Sequence, residues 1–404
     1  MNKIENISNE TNLVPIHGLV VIADDITGAA EIAGVCLRYG LKVSFGIDTI
    51  PDEIADVCIV ATDSRSLSEL EACTIHSKLA IDVYRIKPAL VFKKCDSVLR
   101  GYVLSELSAL LAESHQKKIL LVPANPLSGR CIINGFYYVG DHKIENTGFS
   151  TDPDFPATDS SVQNILLQRS KKHDNINDVH TGKITKLRGS GVFIPDCNSV
   201  NDLQQSCLLA SENTLLCGSA AFFEQVLISR GFTKSENEQP KFSKINKFLL
   251  VAGTIHPETK LFEERLRRNN CTIEKFPTQF LSEMFDENEF SKWIISLQNN
   301  WNENKMLSIG ISDKPVIFTN SNVELKTRLS KVVAQLLINC TISEMFIEGG
   351  ATTYSILKTL SLASLTPEIE LASGVLRLKV NDADNLWITI KPGSYPWPEK
   401  IIEK

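Results

Sequence analysis

The feature that most constrains the fold of this chain is a repeated order of apolar run, polar turn and helical pattern. The run from Gly18 to Ala23 ends in two aspartates and precedes a segment whose apolar residues recur at helical spacing, and this order returns along most of the chain. Short apolar runs that alternate with helices predict parallel strands joined by crossover helices. We therefore expect an α/β protein, because crossover helices cover the faces of a mainly parallel sheet.

The length of the chain and one polar segment predict two domains. The chain has 404 residues, more than a single hydrophobic core usually serves. Residues 233–247 are polar, carry alternating charge and include Pro240, which is typical of a linker. The sequence thus predicts an amino-terminal domain over 1–232 and a carboxy-terminal domain over 248–404. Each is expected to contain a mainly parallel sheet flanked by helices, with a cleft between the two domains.

Composition argues against several classes of function. The net charge of −6 disfavours a nucleic-acid-binding surface. The ten cysteines occur without a Cys-x-x-Cys pair, so a zinc or iron–sulfur site is not expected and the thiols fit a reducing compartment. The polar segment 1–13 lacks the apolar stretch of a signal peptide, and no apolar run reaches the roughly 20 residues of a membrane span. We expect a cytoplasmic protein that binds neither nucleic acid nor membrane.

Polar and charged residues gather where four predicted strands of the first half end. In chain order they are Asp24, Asp25, Thr27, Ser64, Arg65, Lys93, Lys94, Asp96, Ser97, Arg100, Asn125 and Arg130. Because ligands of open α/β sheets bind at the carboxyl ends of the strands, these residues predict one pocket. The cations would hold a carboxylate or phosphate, and the polar side chains would bind hydroxyl groups. A solvent-exposed salt-bridge cluster is the alternative.

The two adjacent aspartates need an explanation beyond helix capping. We expect Thr27 to cap the first helix, because its hydroxyl can accept a hydrogen bond from a backbone N–H of the first turn. Asp24 and Asp25 would then be free to bind substrate hydroxyls, with Asp25 or Asp96 as the base that takes a hydroxyl proton. A cap with one exposed neighbouring aspartate is the simpler structural alternative.

Glycine-rich turns follow three predicted strands of the second half. They contain Gly253, Thr254, Gly349, Gly350, Ala351, Thr352 and Gly393. Glycine leaves the backbone N–H groups of such a turn open to a phosphate, and a threonine adds a hydroxyl. Together the three turns predict a nucleotide pocket, although each alone is also typical of an ordinary tight turn.

The segment from Tyr138 to about Lys186 is polar and contains few long apolar runs. Long excursions of this kind inside a compact protein are often functional. We interpret the segment as a lid over the pocket or as a dimer contact, so a homodimer is one expected assembly.

Taken in order, these motifs resemble those of the four-carbon acid sugar kinase family. The matching segments are Ala23–Ala29, Asp63–Arg65, Lys93–Gly101, Pro123–Pro126, Gly129–Arg130, Gly218–Ala220, Gly253–Thr254 and Gly349–Gly350. The resemblance implies an amino-terminal acid-sugar domain and a carboxy-terminal ATP domain. It implies transfer of phosphate from ATP to a terminal hydroxyl of a threonate, erythronate or 3-oxo-tetronate compound, with Mg²⁺ held mainly by phosphates and water.

The resemblance also assigns roles to the predicted site residues. ATP is contacted at the positions of Thr254, Gly349 to Thr352 and Gly393. For the sugar acid, we expect Arg65, Lys94 or Arg100 to bind the carboxylate. Lys94 would act in catalysis together with the aspartate that serves as base.

The chain departs from the family pattern in its second half. Thr254 stands where the family usually has serine, Phe262 where it commonly has glutamine, and the proline of Pro392–Gly393 fixes φ in a turn that is usually Ser-Gly-Asn-Phe-Gly-like. A sensor protein that keeps the sugar pocket but has lost ATP turnover is therefore an alternative to a kinase. A nicotinamide-dependent dehydrogenase is disfavoured, because no Gly-x-Gly-x-x-Gly turn follows the first strand.

Overall fold

The computed structural model describes residues 17–236, 242, 245–282, 284–303, 306–312 and 321–402. Within these ranges the β-strands, numbered in chain order, are β1 His17–Ala23, β2 Val43–Ile47, β3 Ala55–Ala61, β4 Leu90–Lys94, β5 Lys118–Val122, β6 Arg130–Ile133, β7 Phe136–Val139, β8 His142–Lys143, β9 Val179–Gly182, β10 Gly191–Pro195, β11 Thr214–Gly218, β12 Phe248–Ala252, β13 Thr272–Lys275, β14 Met306–Gly310, β15 Glu344–Glu348, β16 Ser364–Ala372, β17 Val375–Val380 and β18 Trp387–Lys391.

The α-helices connect these strands and pack on the sheet. In the same described ranges they are α1 Ile26–Arg38, α2 Glu69–Arg85, α3 Val103–Ala112, α4 Val162–Arg169, α5 Val200–Cys207, α6 Ala220–Ser229, α7 Pro257–Arg268, α8 Glu287–Glu303, α9 Ser321–Asn339 and α10 Gly350–Thr359.

Most of the strands lie in one sheet, whose order is β13-β14-β12-β15-β18-β17-β16-β2-β3-β1-β4-β11-β5-β10-β9. Every pairing from β2 to β9 is parallel, and so is every pairing from β13 to β18. The strands β16 and β17 are antiparallel to their neighbours and lie between the two parallel parts. The expected fold class, a two-domain α/β protein with mainly parallel sheets and flanking helices, is confirmed.

The amino-terminal parallel part joins the rest of the sheet through a short antiparallel pairing between β16 and β2. Its register places Ser364 opposite Gly46 and Leu365 opposite Phe45. The sequence did not indicate that the sheets of the two halves would share hydrogen bonds. Much of the predicted linker falls outside the described residues, and the exact domain limits stay a prediction.

Helices cover both faces of the sheet in the amino-terminal part. In β1, Val21 belongs to the apolar cluster that includes α1, whereas Val20 and Ile22 belong to the cluster that includes α3. All three side chains are fully buried, and each contributes about 1.5–3 kcal/mol of burial free energy. Strands buried on both faces form continuous apolar runs, which is why the sequence pattern located them.

Several strands were not expected from the sequence. Ser308 interrupts the apolar run of β14, and Pro367 lies inside β16, where proline usually argues against a strand. A small antiparallel sheet of β6, β7 and β8 lies where turns and an irregular excursion were expected. The apolar run 315–319 also predicts a strand, and it falls outside the described residues.

Two features do not occur in the described parts of the chain. No helix there combines the length and apolar character required to cross a bilayer. In the same residues, no group of three or more His, Cys, Asp or Glu side chains is arranged to hold a metal ion.

Candidate active site

The carboxyl ends of the central strands lie level with one another. The register pairs Ala23 of β1 with Ala61 of β3 and with Lys94 of β4. It also pairs Gly218 of β11 with Lys94 and with Val122 of β5. The polar residues that follow these strands in sequence therefore emerge at one edge of the sheet.

Asp25, and not Thr27, caps helix α1. Asp25 Oδ1 accepts a hydrogen bond from the backbone N–H of Gly28 at 2.9 Å, and its Oδ2 accepts one from the Thr27 hydroxyl. The expected cap was wrong because the helix begins at Ile26, directly after Asp25. A carboxylate thus lies at the helix N-terminus, where the peptide dipoles favour negative charge.

Arg65 bridges the two aspartates that were expected as candidate bases. Its guanidinium lies 2.6 Å from Asp25 Oδ2 and 3.1 Å from Asp96 Oδ1. Asp96 also accepts hydrogen bonds from the Arg100 side chain at 2.9 Å on each oxygen, and from the backbone N–H groups of Val98 and Arg100. These contacts occupy all of the roughly four acceptor positions of a carboxylate.

The neighbouring cations hold both carboxyl groups in the ionised form. Burial alone would raise the pKa of Asp96, but Arg100, Arg65 and Lys94 together lower it far below its ordinary value. Burial also opposes the ionisation of Asp25, and there Arg65 and Lys94 again prevail, so its pKa is lowered. Asp96 is therefore a fixed anchor for two arginines.

Lys94 reaches the pocket beside the first turn of α1. Its Nζ donates a hydrogen bond to the Cys95 carbonyl at 3.1 Å and lies 3.7 Å from Glu31 Oε2. Burial alone would lower the pKa of Lys94, but Glu31 and Asp24 raise it, so the ammonium group stays charged. Glu31 also accepts a hydrogen bond from the Tyr395 hydroxyl at 3.2 Å, which connects this site to the carboxy-terminal half.

The pocket at this edge has a volume of about 90 Å³. It is lined by Asp25, Thr27, Gly28, Glu31, Arg65, Lys94, Asp96, Ser97, Arg100, Arg130, Pro392, Ser394 and Tyr395. A water molecule takes about 30 Å³ in the liquid, so the space suits a group of a few atoms, such as a carboxylate or a phosphoryl group. Larger surface cavities, of about 650 and 690 Å³, lie elsewhere and lack this concentration of charge.

Five of the lining residues were not among the expected site residues: Gly28, Glu31, Pro392, Ser394 and Tyr395. The sequence could have indicated Glu31, because it follows Thr27 by four residues and therefore lies on the same face of α1. No local sequence pattern indicates Tyr395, because its position depends on packing between distant parts of the chain.

Among the described residues, Arg130 is a pocket cation without a carboxylate partner. Its guanidinium donates to the Ser97 hydroxyl and lies 5.8 Å from the centre of the Phe149 ring. The backbone N–H of Asn125 donates to the Arg130 carbonyl at 2.8 Å, and that of Arg130 donates to the Asn125 carbonyl at 3.1 Å. Asn125 thus supports Arg130 through the main chain and does not line the pocket itself.

Lys93 and Ser64 lie behind the pocket, which corrects their expected position. Lys93 Nζ lies 2.8 Å from Glu106 Oε2, and the Ser64 hydroxyl donates to Glu106 Oε1 at 2.6 Å. His76 Nε2 lies 3.6 Å from the same carboxylate, and all four side chains are buried. Consecutive residues of a strand point to opposite faces, so only one of Lys93 and Lys94 can reach the pocket directly.

Asp24 lies beneath the pocket and is 1% exposed. Its Oδ2 accepts a hydrogen bond from the backbone N–H of Asp96 at 3.2 Å, whereas its Oδ1 has no partner among the described residues. Burial raises the pKa of Asp24 to about 6, although Arg65 and Lys93 oppose this shift. Asp24 therefore supports the pocket floor and was not found among its lining residues.

The N-terminus of α10 faces the N-terminus of α1 across the cleft. Gly349 caps α10 with a φ of +94°, a backbone conformation that favours glycine. A Cβ atom on Gly350 would lie 3.2 Å from Thr27 Cγ2 and 3.3 Å from Asp25 Oδ2. The glycine turn after β15 thus touches the charged wall of the other half.

The other two glycine turns lie beside the first. A Cβ atom on Gly253 would overlap the Thr352 hydroxyl, and one on Gly393 would lie 3.2 Å from Thr254 Oγ1. Ala351 and Thr352 belong to the first turn of α10. The structure therefore brings the expected nucleotide residues together, whereas their contact with a nucleotide stays a prediction.

The fold and the site define a class: a two-domain α/β protein with a small, highly charged pocket lined by residues of both halves. Residues 19–226 match the model of a family described as a sugar-binding N-terminal domain. The chain belongs to this family, and its resemblance to the four-carbon acid sugar kinases is confirmed.

The names of similar proteins are consistent with this family. The chain is 26% identical over 257 residues to the D-threonate kinase of Salmonella typhimurium, which covers 60% of this chain and 59% of the relative. It is 32% identical over 202 residues to the 3-oxo-tetronate kinase of Cupriavidus necator, which covers 45% of this chain and 46% of that relative. The match therefore spans less than two thirds of the length of either relative.

A solved structure shares the fold. The crystal structure of a Haemophilus influenzae protein of family DUF1537 superposes with a TM-score of 0.68, covering 95% of this chain and 98% of the other. The two sequences are 18% identical, so this likeness concerns the fold alone.

Proposed function

We propose that this protein transfers the γ-phosphoryl group of ATP to a terminal hydroxyl of a four-carbon sugar acid. The observation that carries the proposal is a contact between the two sides of the cleft, which we call the amino-terminal wall and the carboxy-terminal wall. The charged strand ends of the amino-terminal half lie directly against the N-terminus of α10 in the carboxy-terminal half, at Gly350 and Asp25. The names of the related D-threonate and 3-oxo-tetronate kinases support it.

Arg130 is the residue we assign to the carboxylate of the sugar acid. The sequence predicted Arg65, Lys94 or Arg100 for this role, but Arg65 and Arg100 are each held by Asp96, and Lys94 is assigned to the transferred phosphoryl group below. Arg130 has no such carboxylate partner among the described residues, so several of its five N–H donors remain available. A planar guanidinium binds a carboxylate with two parallel hydrogen bonds, which fixes the orientation of the substrate.

Asp25 is the base we assign. Its carboxylate accepts hydrogen bonds from Gly28, Thr27 and Arg65, which leaves one of its roughly four acceptor positions open to a substrate hydroxyl. Asp96 has no open position. The low pKa of Asp25 fits phosphoryl transfer, because the base in such reactions mainly orients the hydroxyl and takes its proton late.

Lys94 and the backbone N–H groups at the start of α10 are assigned to the transferred phosphoryl group. Both place positive charge beside Asp25, where charge spreads over the phosphoryl oxygens in the transition state. When bound, ATP supplies the phosphoryl group and Mg²⁺ neutralises its charge. Mg²⁺ in such sites is usually held by phosphates and water together with one or two carboxylates, and we assign no protein ligand to it.

The departures from the family pattern bear on the ATP side. Phe262 lies in the apolar core, and its ring centre is 5.6 Å from that of Trp397. It does not line the charged pocket, so the replacement of the family's glutamine removes no polar group from that pocket. The altered turn at Pro392 lines the pocket, however. A sugar-acid sensor without ATP turnover is therefore the second candidate function.

The test is an ATP-consumption screen with Mg²⁺ over D- and L-threonate, D- and L-erythronate and their 3-oxo forms. Turnover that depends on one of these acids supports the kinase and identifies its substrate. Calorimetry then separates the alternatives, since binding of a sugar acid without binding of Mg·ATP identifies the sensor. Failure of every acid to stimulate turnover or to bind overturns both assignments.

Dimerisation stays a separate prediction. The residues just before the segment 138–186 expose the apolar side chains of Leu127, Ile133 and Phe136, of which Leu127 is 84% exposed. Exposed apolar side chains beside a functional segment favour a contact between two copies. Light scattering during size-exclusion chromatography measures the mass in solution, and a monomer at all concentrations contradicts this prediction.

A further inference from the structure

A buried ion pair lies directly beneath the glycine turns of the carboxy-terminal half. Lys391 Nζ lies 2.9 Å from Glu348 Oε1, and neither side chain is exposed. Lys391 ends β18 and Glu348 ends β15, and the parallel register places the two residues opposite each other. The pair therefore lies at the same edge of the sheet as the proposed nucleotide turns.

The ion pair is connected to all three turns. Lys391 Nζ donates hydrogen bonds to the carbonyl oxygens of Pro392 at 3.2 Å and Gly393 at 3.4 Å. The backbone N–H of Gly349 donates to the Lys391 carbonyl at 3.0 Å, and that of Gly253 donates to the Glu348 carbonyl at 3.1 Å. Lys391 therefore contacts the turns of Gly349 and Gly393, and Glu348 contacts the turn of Gly253, with the contacts to Gly349 and Gly253 made by backbone carbonyls.

The remaining bonding capacity of the pair is used inside the core. Glu348 accepts hydrogen bonds from the Thr259 hydroxyl at 2.8 Å and from the Trp397 indole N–H at 2.6 Å. Lys391 Nζ also lies 5.2 Å from the centre of the Trp397 ring. Neither charged group is exposed to a ligand, so the pair acts through the residues it holds.

A role in stability alone does not account for such a pair. Replacing a buried ion pair by apolar side chains of similar volume is often neutral or stabilising, because the pair no longer has to be desolvated. We propose that Lys391 and Glu348 are positioning residues that hold the three glycine turns in the arrangement that binds ATP. This proposal rests on the proposed kinase function.

A matched control lies at the opposite end of the same strand. Glu344 begins β15 and pairs with Arg377 of β17, which also lies 2.6 Å from Glu368 Oε2. Both members of this pair are largely buried, yet none of their side-chain hydrogen bonds to described residues reaches a glycine turn. Apolar replacement of this pair removes a similar charge interaction without touching the turns.

The experiment compares two double variants of the full chain, Lys391→Met with Glu348→Leu and Arg377→Met with Glu344→Leu. Each is measured for thermal unfolding, for the KM of ATP and of the sugar acid, and for Mg·ATP binding by calorimetry. We expect the first variant to raise the KM and Kd of ATP by about 10-fold or more, because small displacements of positioning groups have effects of this size. The KM of the sugar acid should stay near the wild-type value, and the control should change neither constant.

Unchanged ATP binding in a folded Lys391→Met, Glu348→Leu variant overturns the proposal. If that variant does not fold, Glu348→Gln is measured in its place, since an amide of the same shape can accept from the Trp397 N–H through its oxygen and donate to the Thr259 hydroxyl through its NH₂ group. Weaker ATP binding with a wild-type melting temperature then supports the proposal, and unchanged binding overturns it. Failure of the kinase function is distinguishable, because in that case the wild-type protein itself shows no turnover and no Mg·ATP binding.

Discussion

In the amino-terminal half the charged side chains project into the cleft, whereas in the carboxy-terminal half they lie beneath the glycine turns. Arg65, Lys94 and Asp96 line the pocket directly. Lys391 and Glu348, by contrast, are fully buried, and the turns above them present mainly backbone. One wall is therefore built to recognise a ligand through side chains and the other through the main chain.

This difference predicts opposite sensitivities to mutation. Removing a charged or hydrogen-bonding group should damage the amino-terminal wall, and adding atoms should damage the carboxy-terminal wall. A variant of either wall should also affect one substrate and leave the other nearly unchanged.

The largest expected effect is that of Asp25→Asn. Asparagine keeps an acceptor for the Gly28 N–H but cannot take a proton, so kcat should fall by about 10²-fold or more while the KM of ATP stays near wild type. Asp96→Asn is the comparison, and there we expect mainly a higher KM for the sugar acid, because Arg65 and Arg100 lose their anchor. If Asp25→Asn keeps wild-type turnover, the base is another group.

Arg130→Gln should have the next largest effect. Loss of a charged hydrogen bond to the substrate carboxylate corresponds to about 10-fold or more in the KM of the sugar acid. Arg130→Lys should recover part of this loss, and ATP binding should not change. The exposed Arg230 provides the control, since Arg230→Gln should leave the KM of both substrates unchanged in the same steady-state assay. An equal rise in the KM of both substrates would argue against the separation of the two walls.

Gly253→Ala tests the main-chain wall. The added Cβ would overlap the Thr352 hydroxyl and lie 2.7 Å from the Glu348 carbonyl oxygen, so the turn must shift. Overpacking of this kind costs about 1–3 kcal/mol, which corresponds to about fivefold or more in the KM of ATP if the strain falls on the binding turn. Gly148→Ala is the control, because no atom lies within 4 Å of its added Cβ. A wild-type KM for ATP in Gly253→Ala would contradict a main-chain role for this turn.

The smallest expected effect concerns the pH dependence of stability at Asp24. The native pKa is about 6 against an ordinary value of 3.8, so between about pH 4 and 6 the unfolded chain releases a proton that the native protein keeps. Rising pH therefore lowers the contribution of Asp24 to the free energy of unfolding across this window, and the loss is complete above about pH 6. Asp24→Asn stays neutral and should be more stable than wild type at pH 7, by on the order of 1–2 kcal/mol, with little difference near pH 4.

Urea unfolding at the two pH values measures this difference. Asp52→Asn, at an exposed position, should show no comparable trend. An Asp24→Asn variant that loses stability at pH 7 would mean that the ionised carboxylate is needed by Arg65 or Lys93.

Local sequence patterns predicted the parts of the fold and site that depend on neighbouring residues. Apolar runs located most strands, and the strand ends supplied Asp25, Lys94 and Arg130, because parallel strands bring their carboxyl ends to one edge. The alternation of side chains along a strand also distinguishes Lys93 from Lys94, since only one of two consecutive residues can face the pocket.

The parts that escaped prediction depend on contacts between distant segments. Tyr395 reaches Glu31 across the cleft, and no local pattern marks a tyrosine that will do so. The ion pair of Lys391 and Glu348 was missed for the same reason, since its members end two different strands. Thr27 was expected as the cap because either of two nearby polar residues, Asp25 or Thr27, can cap a helix, and the backbone path decides between them.

The pairing of β16 with β2 has a consequence for biosynthesis. The strand β2 is synthesised long before residues 363–365, which cover its outer edge, where the Ile47 N–H donates to the Ala363 carbonyl at 2.9 Å. Until then the nascent amino-terminal half carries an open, apolar strand edge, which is a template for aggregation. A truncated product that ends before β16 should therefore depend on chaperones or self-associate.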